Sequence, residues 1–442
     1  MTVSICIRKQ TPLLTFAALL SLLLSGCQIL PFSQEAEPQQ VVWTVKSADI
    51  ASHEFALEPN QNMVGALATV TARENETLSD FARHYGLGYN DIAMANANLE
   101  PWTLTPEQRV LLPLQFILPE APHQGIVLNL ANMRMFYYPK SQPNSLLTYP
   151  IGIGRQGWNT PLGLTQITGK KANPDWIVPE SIKREHLEKG ETLPSIVHAG
   201  PENPLGHYAL PLGFSSILIH GTNKPYGIGM QVSHGCVQLY PEDIENLFNQ
   251  VEVGTPVRIV HQPYLTAWNS GMLYLEVHPP LEKWAKQESQ LRNEILKKLG
   301  KTATEKNVVV DWNKVDRVLQ RADGIPTPIL ANSAELPELA EQAVKLQHPE
   351  QLFSQPTVSK LTESDWSILA ASFPSETTAQ KLSAMLNHLD PQIPARMIAK
   401  NGAYQVLAGP FKDKKETQSN AKRIKQVFEM NVTPMPPKKA LN

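Results

Sequence analysis

A cysteine and two histidines lie close together around one glycine-rich segment of the sequence. His220 and His234 flank the segment, and Cys236 follows His234 with only Gly235 between them. A thiol becomes a strong nucleophile when a neighbouring base removes its proton. Gly235 lets the backbone turn tightly, and the amides of Gly235 and Cys236 could hold a developing oxyanion. The spacing therefore predicts a reactive thiol, with either histidine available as its base.

The same residues also allow two other interpretations. His220, His234 and Cys236 could bind zinc, because a catalytic zinc needs only three protein ligands. His198 and His207 lie upstream as further candidate ligands. Alternatively, the cysteine could be purely structural, although nothing structural requires two histidines beside it. The zinc site lacks a fourth ligand at ordinary spacing, so the reactive thiol is the favoured interpretation.

The N-terminus has the pattern of a bacterial export signal. Arg8 and Lys9 precede an apolar stretch over 13–24 that is too short to span a bilayer comfortably. The stretch ends in Leu-Ser-Gly-Cys27, which resembles a lipobox, where a cysteine becomes the lipidated first residue of the mature protein. The resemblance implies a lipid anchor in a membrane, and Gln28 favours the outer membrane of a Gram-negative bacterium. An ordinary signal peptide with an incidental cysteine is the alternative.

Export also limits the roles open to Cys236. The chain has three cysteines; Cys6 would leave with the signal peptide and Cys27 would carry lipid. Cys236 would then be the only thiol of a periplasmic protein, without a partner in its own chain. An odd cysteine outside the cytoplasm suggests an intermolecular disulfide or a reactive thiol. The neighbouring histidines favour the reactive thiol.

Length and composition indicate several modules. A chain of 442 residues exceeds the usual size of one domain, and its 37 prolines against 24 glycines suit modules on stiff linkers. A net charge of −2 gives no basic field that would favour nucleic acid as a partner. The patterns divide the chain into a signal peptide (1–27), a tether (28–65), a small α/β module (66–118), a mainly-β domain (122–262), a helical extension (263–323), a linker (324–361) and a small α+β domain (362–437).

The domain around the cysteine is predicted to consist mainly of strands. Its β-branched and aromatic runs are separated by turn residues, and they cover 125–130, 133–138, 146–151, 164–168, 216–219 and 256–260. A helix is predicted from Pro241, which suits a first helical position, and Glu242 and Asp243 favour its N-terminus. The thiol therefore lies in a loop between a strand and a helix, a common location for chemistry on a rigid scaffold.

The run from His220 to Cys236 resembles the catalytic segment of the L,D-transpeptidases, the YkuD-type domain. That family has a histidine at the end of a strand, a loop, and then Ser/Thr-His-Gly-Cys; Asn159-Thr-Pro-Leu-Gly163 also resembles its Thr-Pro-x-Gly turn. The resemblance implies a β-sandwich, no cofactor, Cys236 as nucleophile and His220 as general base. It also implies that the Gly221 carbonyl orients His220, and that His234 and Gly235 lie on the oxyanion or substrate side.

The resemblance further implies acyl transfer on peptidoglycan. Cys236 would form a thioester with the third residue of a stem peptide and release the terminal D-alanine. An amine of a second stem peptide or of a lipoprotein would then accept the acyl group. Transfer to water, in an L,D-carboxypeptidase, and a non-catalytic cell-wall-binding protein are the alternatives. Gln238 stands where the family often has arginine, so another group would have to hold any substrate carboxylate that this arginine binds.

The module at 66–118 has a strand–helix–helix–strand pattern. The predicted strands cover 69–71 and 109–112, and apolar residues at helical spacing lie between them. Together with the run Asn75–Gly86, this pattern resembles a LysM domain, a family that binds glycans containing N-acetylglucosamine. A packing domain without a ligand is the alternative.

The C-terminal domain contains an internal repeat. Trp366–Phe373 aligns with Tyr404–Phe411, and a helical pattern follows each segment. A strand–helix unit that occurs twice, with further strands near 395–399 and 432, predicts a βαββαβ domain. The repeat and its Ala-Gly-Pro-Phe turn resemble a SPOR domain, which binds peptidoglycan glycan strands lacking stem peptides. RNA binding is the rival by fold, but an extracytoplasmic location argues against it; a domain without a ligand is the other alternative.

Overall fold

The computed structural model describes residues 53–353 and 355–438, which all belong to one unit of the chain, 45–442. The predicted signal peptide, the lipidation site Cys27 and most of the predicted tether lie outside the described residues. Within the described ranges, no helix is both long enough and apolar enough to cross a membrane.

The N-terminal module places two short helices beside short antiparallel strands. Its elements are β1 (Glu54–Ala56), β2 (Met63–Gly65), β3 (Ala68–Thr71), α1 (Leu78–His84), α2 (Tyr89–Ala95), β4 (Arg109–Leu112) and β5 (Gln115–Ile117). β3 pairs with β4, and β2 pairs with β5. α1 begins with a capping box: the Thr77 hydroxyl accepts from the Asp80 amide, and the Asp80 carboxylate accepts from the Thr77 amide.

The central domain is built around two sheets. Its elements are β6 (Gly125–Asn129), β7 (Arg134–Tyr138), β8 (Ser145–Pro150), β9 (Ile153–Gly154), β10 (Gly163–Gln166), β11 (Lys171–Ala172), β12 (Trp176–Ile177), α3 (Glu180–Glu188), β13 (Ile196–Val197), β14 (Tyr208–Pro211), β15 (Leu218–His220), β16 (Gln231–Ser233), β17 (Val237–Gln238), α4 (Pro241–Gln250) and β18 (Pro256–Val260). The larger sheet has the order β1-β8-β7-β6-β18-β10, and the smaller has the order β11-β14-β15-β17. Apolar side chains of both sheets and of α4 share one buried core, which fixes the smaller sheet against the larger one.

The end of the predicted tether is folded, contrary to the expectation for 28–65. β1 adds an antiparallel edge strand to β8 of the central domain, and Phe55, Met63 and Val64 are buried. Strands of three residues are too short to give a clear alternation of apolar and polar residues. Their burial therefore could not be inferred from the local pattern.

The predicted helical extension and linker are also partly β-structure. The segment contains β19 (Tyr264–Asn269), β20 (Met272–Val277), α5 (Glu288–Lys306), α6 (Trp312–Arg321), β21 (Thr327–Pro328), α7 (Leu336–Gln342) and β22 (Val344–Lys345). β19 and β20 form a hairpin whose turn residues, Ser270 and Gly271, both have positive φ, as expected for a type I′ turn. In the Pro-rich part, β21 pairs with β20 and β22 pairs in parallel with β3. This part is therefore packed structure and not a free linker.

The C-terminal domain has a four-stranded sheet with two helices. Its elements are β23 (Trp366–Phe373), α8 (Glu376–Asn387), β24 (Ala395–Lys400), β25 (Ala403–Phe411), α9 (Lys414–Phe428) and β26 (Thr433–Met435). The strand order is β24-β25-β23-β26, so the two strands of the sequence repeat are antiparallel neighbours. Ser375 and Asp413 cap the two helices with their side-chain oxygens.

The C-terminal domain also contacts the N-terminal module. The His388 imidazole lies 2.8 Å from the Asp80 carboxylate, and the two side chains are only 3% and 4% exposed. Burial alone would raise the pKa of Asp80, but the hydrogen bonds from His388 and Thr77 outweigh burial and lower it. Gln380 also donates to the Asn75 carbonyl at 3.2 Å. These two buried hydrogen bonds hold the C-terminal domain against the N-terminal module.

Candidate active site

His220 ends one strand, Cys236 immediately precedes the neighbouring strand, and both residues line one groove. β15 and β17 run parallel, with Ile219 beside Val237 and His220 beside Gln238. Ile219 and Val237 are fully buried in the core of the central domain. Because successive side chains of a strand point to opposite faces, His220, Gln238 and the preceding Cys236 face away from that core. All three line a groove of about 1400 Å³.

The hydrogen bonding of His220 leaves one ring nitrogen free to act as a base. Nδ1 lies 2.6 Å from the Gly221 carbonyl, which can only accept, so Nδ1 carries the proton and Nε2 carries a lone pair. The side chain is 3% exposed. Burial lowers the pKa of His220 to about 4, although the Gly221 and Leu205 carbonyls act in the opposite direction. The imidazole is therefore neutral at neutral pH.

The thiol of Cys236 is also neutral in the resting site. Its Sγ lies 3.6 Å from the Ser216 carbonyl. Burial raises the pKa of Cys236 above its ordinary value, and a backbone hydrogen bond from Leu218 opposes this effect. A neutral thiol beside a neutral imidazole is not a preformed ion pair. If Cys236 is a nucleophile, it has to lose its proton during the attack.

The loop before the cysteine is held by two hydroxyl groups. Ser233 Oγ accepts from the Gly235 amide at 3.2 Å and donates to the Cys236 carbonyl at 2.6 Å. Thr160 Oγ1 donates to the Gly235 carbonyl and accepts from the Gly154 amide, both at 3.0 Å. The Gly235 amide, one of the two expected to hold an oxyanion, is thus already hydrogen-bonded. The Cys236 amide is left as the candidate oxyanion donor.

His234 belongs to a separate polar cluster beside the thiol loop. Its Nε2 lies 2.8 Å from Arg155 Nη2 and 3.2 Å from Glu185 Oε2, and its ring meets the Trp158 ring edge-on at 4.9 Å. Burial, then the Arg155 charge, lowers the pKa of His234. Hydrogen bonds from Arg155 and Lys189 lower the pKa of Glu185 to about 2. Since Glu185 lies on α3, His234 links the thiol loop to the helix at the edge of the groove.

The zinc alternative requires several side chains to converge, and they are dispersed instead. His198 contacts Asp175 at 3.3 Å, and His207 contacts Asp390 at 3.5 Å. Among residues 53–353 and 355–438, no group of three or more His, Cys, Asp or Glu side chains is placed to hold a metal ion. His220 and Cys236 line one groove, and their roles as base and nucleophile stay a prediction.

Sequence reasoning missed several residues that shape the groove. Arg155 and Glu185 hold His234, and Thr160 holds Gly235. Thr160 lies within the run 159–163 that the family resemblance singles out, and Arg155 lies shortly before it. That run could therefore have indicated both residues as parts of the site. Helix α9 of the C-terminal domain also lines the groove, through Arg423 and its neighbours. Docking between domains leaves no local pattern in a sequence.

The chain is similar to known proteins over both its central and its C-terminal domain. The family model YkuD, described as the L,D-transpeptidase catalytic domain, matches residues 123–259, and the SPOR domain model matches residues 362–432. The chain is 38% identical over 288 residues to the probable L,D-transpeptidase ErfK/SrfK of Escherichia coli (strain K12), covering 64% of this chain and 92% of that relative. It is 39% identical over 274 residues to the probable L,D-transpeptidase YbiS of the same organism, covering 60% and 87%. The chain therefore belongs to the L,D-transpeptidase family and carries a SPOR domain in addition to its catalytic domain.

Proposed function

We propose that this protein is a peptidoglycan L,D-transpeptidase in which Cys236 forms the thioester and His220 is the general base. The observation that carries the assignment is the shared face of β15 and β17, which directs both side chains into one groove. The unprotonated Nε2 of His220 supports its role as the base, because Nδ1 is held by the Gly221 carbonyl. A groove of about 1400 Å³ suits part of a polymer better than a small metabolite.

The proposed reaction has two acyl-transfer steps. His220 Nε2 takes the thiol proton as Cys236 Sγ attacks the carbonyl between the third stem residue and the terminal D-alanine. The Cys236 amide faces the developing oxyanion, and the imidazolium returns its proton to the amine of the leaving D-alanine. An amine acceptor then loses a proton to His220 and attacks the thioester. This step forms the new amide and restores the thiol.

The acceptor separates a transpeptidase from a hydrolase with the same cysteine. We expect a disaccharide tetrapeptide, which carries a stem ending in D-alanine, to be converted by the protein into a cross-linked dimer with release of D-alanine. Mass spectrometry of the products measures both. The Cys236→Ala variant is the control and should leave the substrate unchanged. A tripeptide as the only product would identify an L,D-carboxypeptidase, and no product from either protein would identify a non-catalytic binding protein.

The flanking modules are proposed to hold the enzyme on its polymer. The strand–helix–helix–strand order of β3, α1, α2 and β4 supports a LysM-like module that binds N-acetylglucosamine-containing glycans. The SPOR match over 362–432 supports binding of glycan strands that lack stem peptides. Two binding modules on one chain raise the local substrate concentration. These modules support peptidoglycan as the partner of the protein.

The protein is further proposed to be a periplasmic lipoprotein. The sequence Leu-Ser-Gly-Cys27 supports lipidation, Gln28 supports the outer membrane, and the relatives from Escherichia coli fit a periplasmic cell-wall location. Such a position would also bring a lipoprotein amine within reach as an acceptor.

We expect Cys27→Ala to move the protein out of the membrane fraction, because two acyl chains supply most of the membrane affinity of such an anchor. Fractionation of cells and incorporation of labelled palmitate measure the effect. Cys236→Ala is the matched control and should stay in the membrane. A Cys27→Ala protein that still fractionated wholly with membranes would contradict lipidation at this site.

A further inference from the structure

Helix α9 of the SPOR domain forms part of the wall of the groove that contains Cys236. Arg423, Gln426 and Val427 line this groove together with the catalytic residues. The contact is supported by Tyr226 of the catalytic domain, which stacks on Phe428 with ring centroids 6.1 Å apart. Lys224 also donates to the Val427 carbonyl at 3.4 Å. The SPOR domain therefore shapes the site in which the substrate reacts.

Arg423 is the charged residue of α9 at this wall, and its hydrogen bonding is incomplete. The residue is 7% exposed. Nη1 donates to the Pro391 carbonyl at 2.5 Å, whereas Nε and Nη2 are buried and have no hydrogen-bond partner among the described residues. A buried charge without partners is costly. The free edge of the guanidinium therefore indicates a missing acceptor.

The nearby carboxylates do not fill this role. Asp390 and Glu202 pair with His207 at 3.5 Å and Lys422 at 3.6 Å, respectively. Among the described residues, no ion pair within 4.0 Å includes Arg423. Burial lowers the pKa of Arg423, and the charges of Asp390 and Glu202 oppose this effect. Neither carboxylate occupies the Nε and Nη2 edge, so that edge is available to an anionic ligand.

The same molecule shows what the Nε and Nη2 edge of an arginine binds. Arg83 uses these two atoms to hold the Glu242 carboxylate, with both distances at 2.7 Å. A planar guanidinium edge matches a carboxylate in this bidentate way. Stem peptides of peptidoglycan carry free carboxylates, so the substrate can supply the acceptor that Arg423 lacks.

We propose that Arg423 of the SPOR domain binds a carboxylate of the stem peptide in the catalytic groove. The SPOR domain is then part of the substrate site as well as a glycan-binding module. Both free nitrogen atoms are closed to solvent in the unliganded chain, so binding requires the groove wall around them to open. Nη1 can keep the Pro391 carbonyl while Nε and Nη2 gain a bidentate ion pair. The inference rests on the proposed transpeptidase function.

The test compares steady-state kinetics on the disaccharide tetrapeptide. We expect Arg423→Met to raise KM about tenfold or more, the effect of losing a charge-assisted hydrogen-bonded pair, with kcat changed less than about twofold. Arg423→Lys should raise KM by a smaller factor, since lysine keeps the positive charge but lacks the paired N–H donors of a planar guanidinium. Lys422→Met is the matched control, because it removes an exposed cation one residue away that does not line the groove.

A second arm of the test changes the substrate. Amidating the free stem carboxylates should raise KM of the unaltered protein by the same factor, and should change KM of Arg423→Met little. The rate at which iodoacetamide labels Cys236 should be equal in all variants and reports an intact thiol site. The inference would be overturned if amidation left KM of the unaltered protein unchanged. It would also be overturned if amidation raised KM equally in the unaltered protein and in Arg423→Met. If the unaltered protein turned over no tetrapeptide, the proposed function would fail instead.

Discussion

Replacing Cys236 with serine is expected to abolish turnover of the tetrapeptide. The hydroxyl is a far weaker nucleophile than the thiol, and a buried imidazole with a pKa of about 4 is too weak a base to compensate. The substitution preserves the shape of a side chain that is only partly exposed, so the fold should be retained. Release of D-alanine and the mass of an acyl-enzyme measure the effect.

The control for this experiment is binding. Cys236→Ser should still bind purified sacculi as well as the unaltered protein does, since the substituted residue lies in the central domain and outside both flanking modules. A thiol-alkylating reagent should label Cys236 stoichiometrically in the native protein. If labelling were slow, and activity instead required added zinc and was lost with a chelator, the cysteine would be a metal ligand.

Replacing His220 with alanine is expected to cost about 10²- to 10⁴-fold in kcat/KM, the usual contribution of a general base. Because the Cys236 pKa is raised, little thiolate exists without that base. Alkylation of Cys236 should therefore slow as well. His234→Ala is the comparison, and a smaller loss is expected since His234 contacts Arg155 and Glu185.

The pH profile gives an independent check on the same residue. A histidine base works only when it is neutral, and burial lowers the pKa of His220 to about 4. The activity of the unaltered protein should therefore fall as pH decreases through about 4, with the site active above that value. This acidic limb should be absent from the residual activity of His220→Ala. If the unaltered protein and His220→Ala lost activity over the same acidic pH range, another group would be the base.

Some of this arrangement could be predicted from local sequence. Pro241 with Glu242 and Asp243 predicts the start of a helix, and α4 begins at Pro241. The repeat predicts strands over 366–373 and 404–411, and the structure has strands over Trp366–Phe373 and Ala403–Phe411. In each case the relevant information lies within a few consecutive residues, as capping preference or periodicity.

Other features depend on contacts between distant residues. The pairing of β15 with β17 brings His220 beside Gln238, two residues after Cys236, and local spacing could not reveal that pairing. Pro328 occupies a strand although proline usually argues against one; β21 is a two-residue edge strand, where proline is tolerated. The position of Arg423 depends on how two domains dock. No local preference encodes such docking.

The parallel pairing of β22 with β3 has a consequence for how the chain acquires its structure. The N-terminal module is completed by a strand near residue 344 and by Leu352, which is buried in its core. Closing so long a loop adds little to the equilibrium cost, because that entropy grows only logarithmically with length, but contacts of high sequence separation form slowly. During synthesis from the N-terminus, the β3 edge stays unpaired until those residues emerge. An unpaired edge is a site for mispairing with other chains, so the module is open to mispairing for as long as residue 344 is missing.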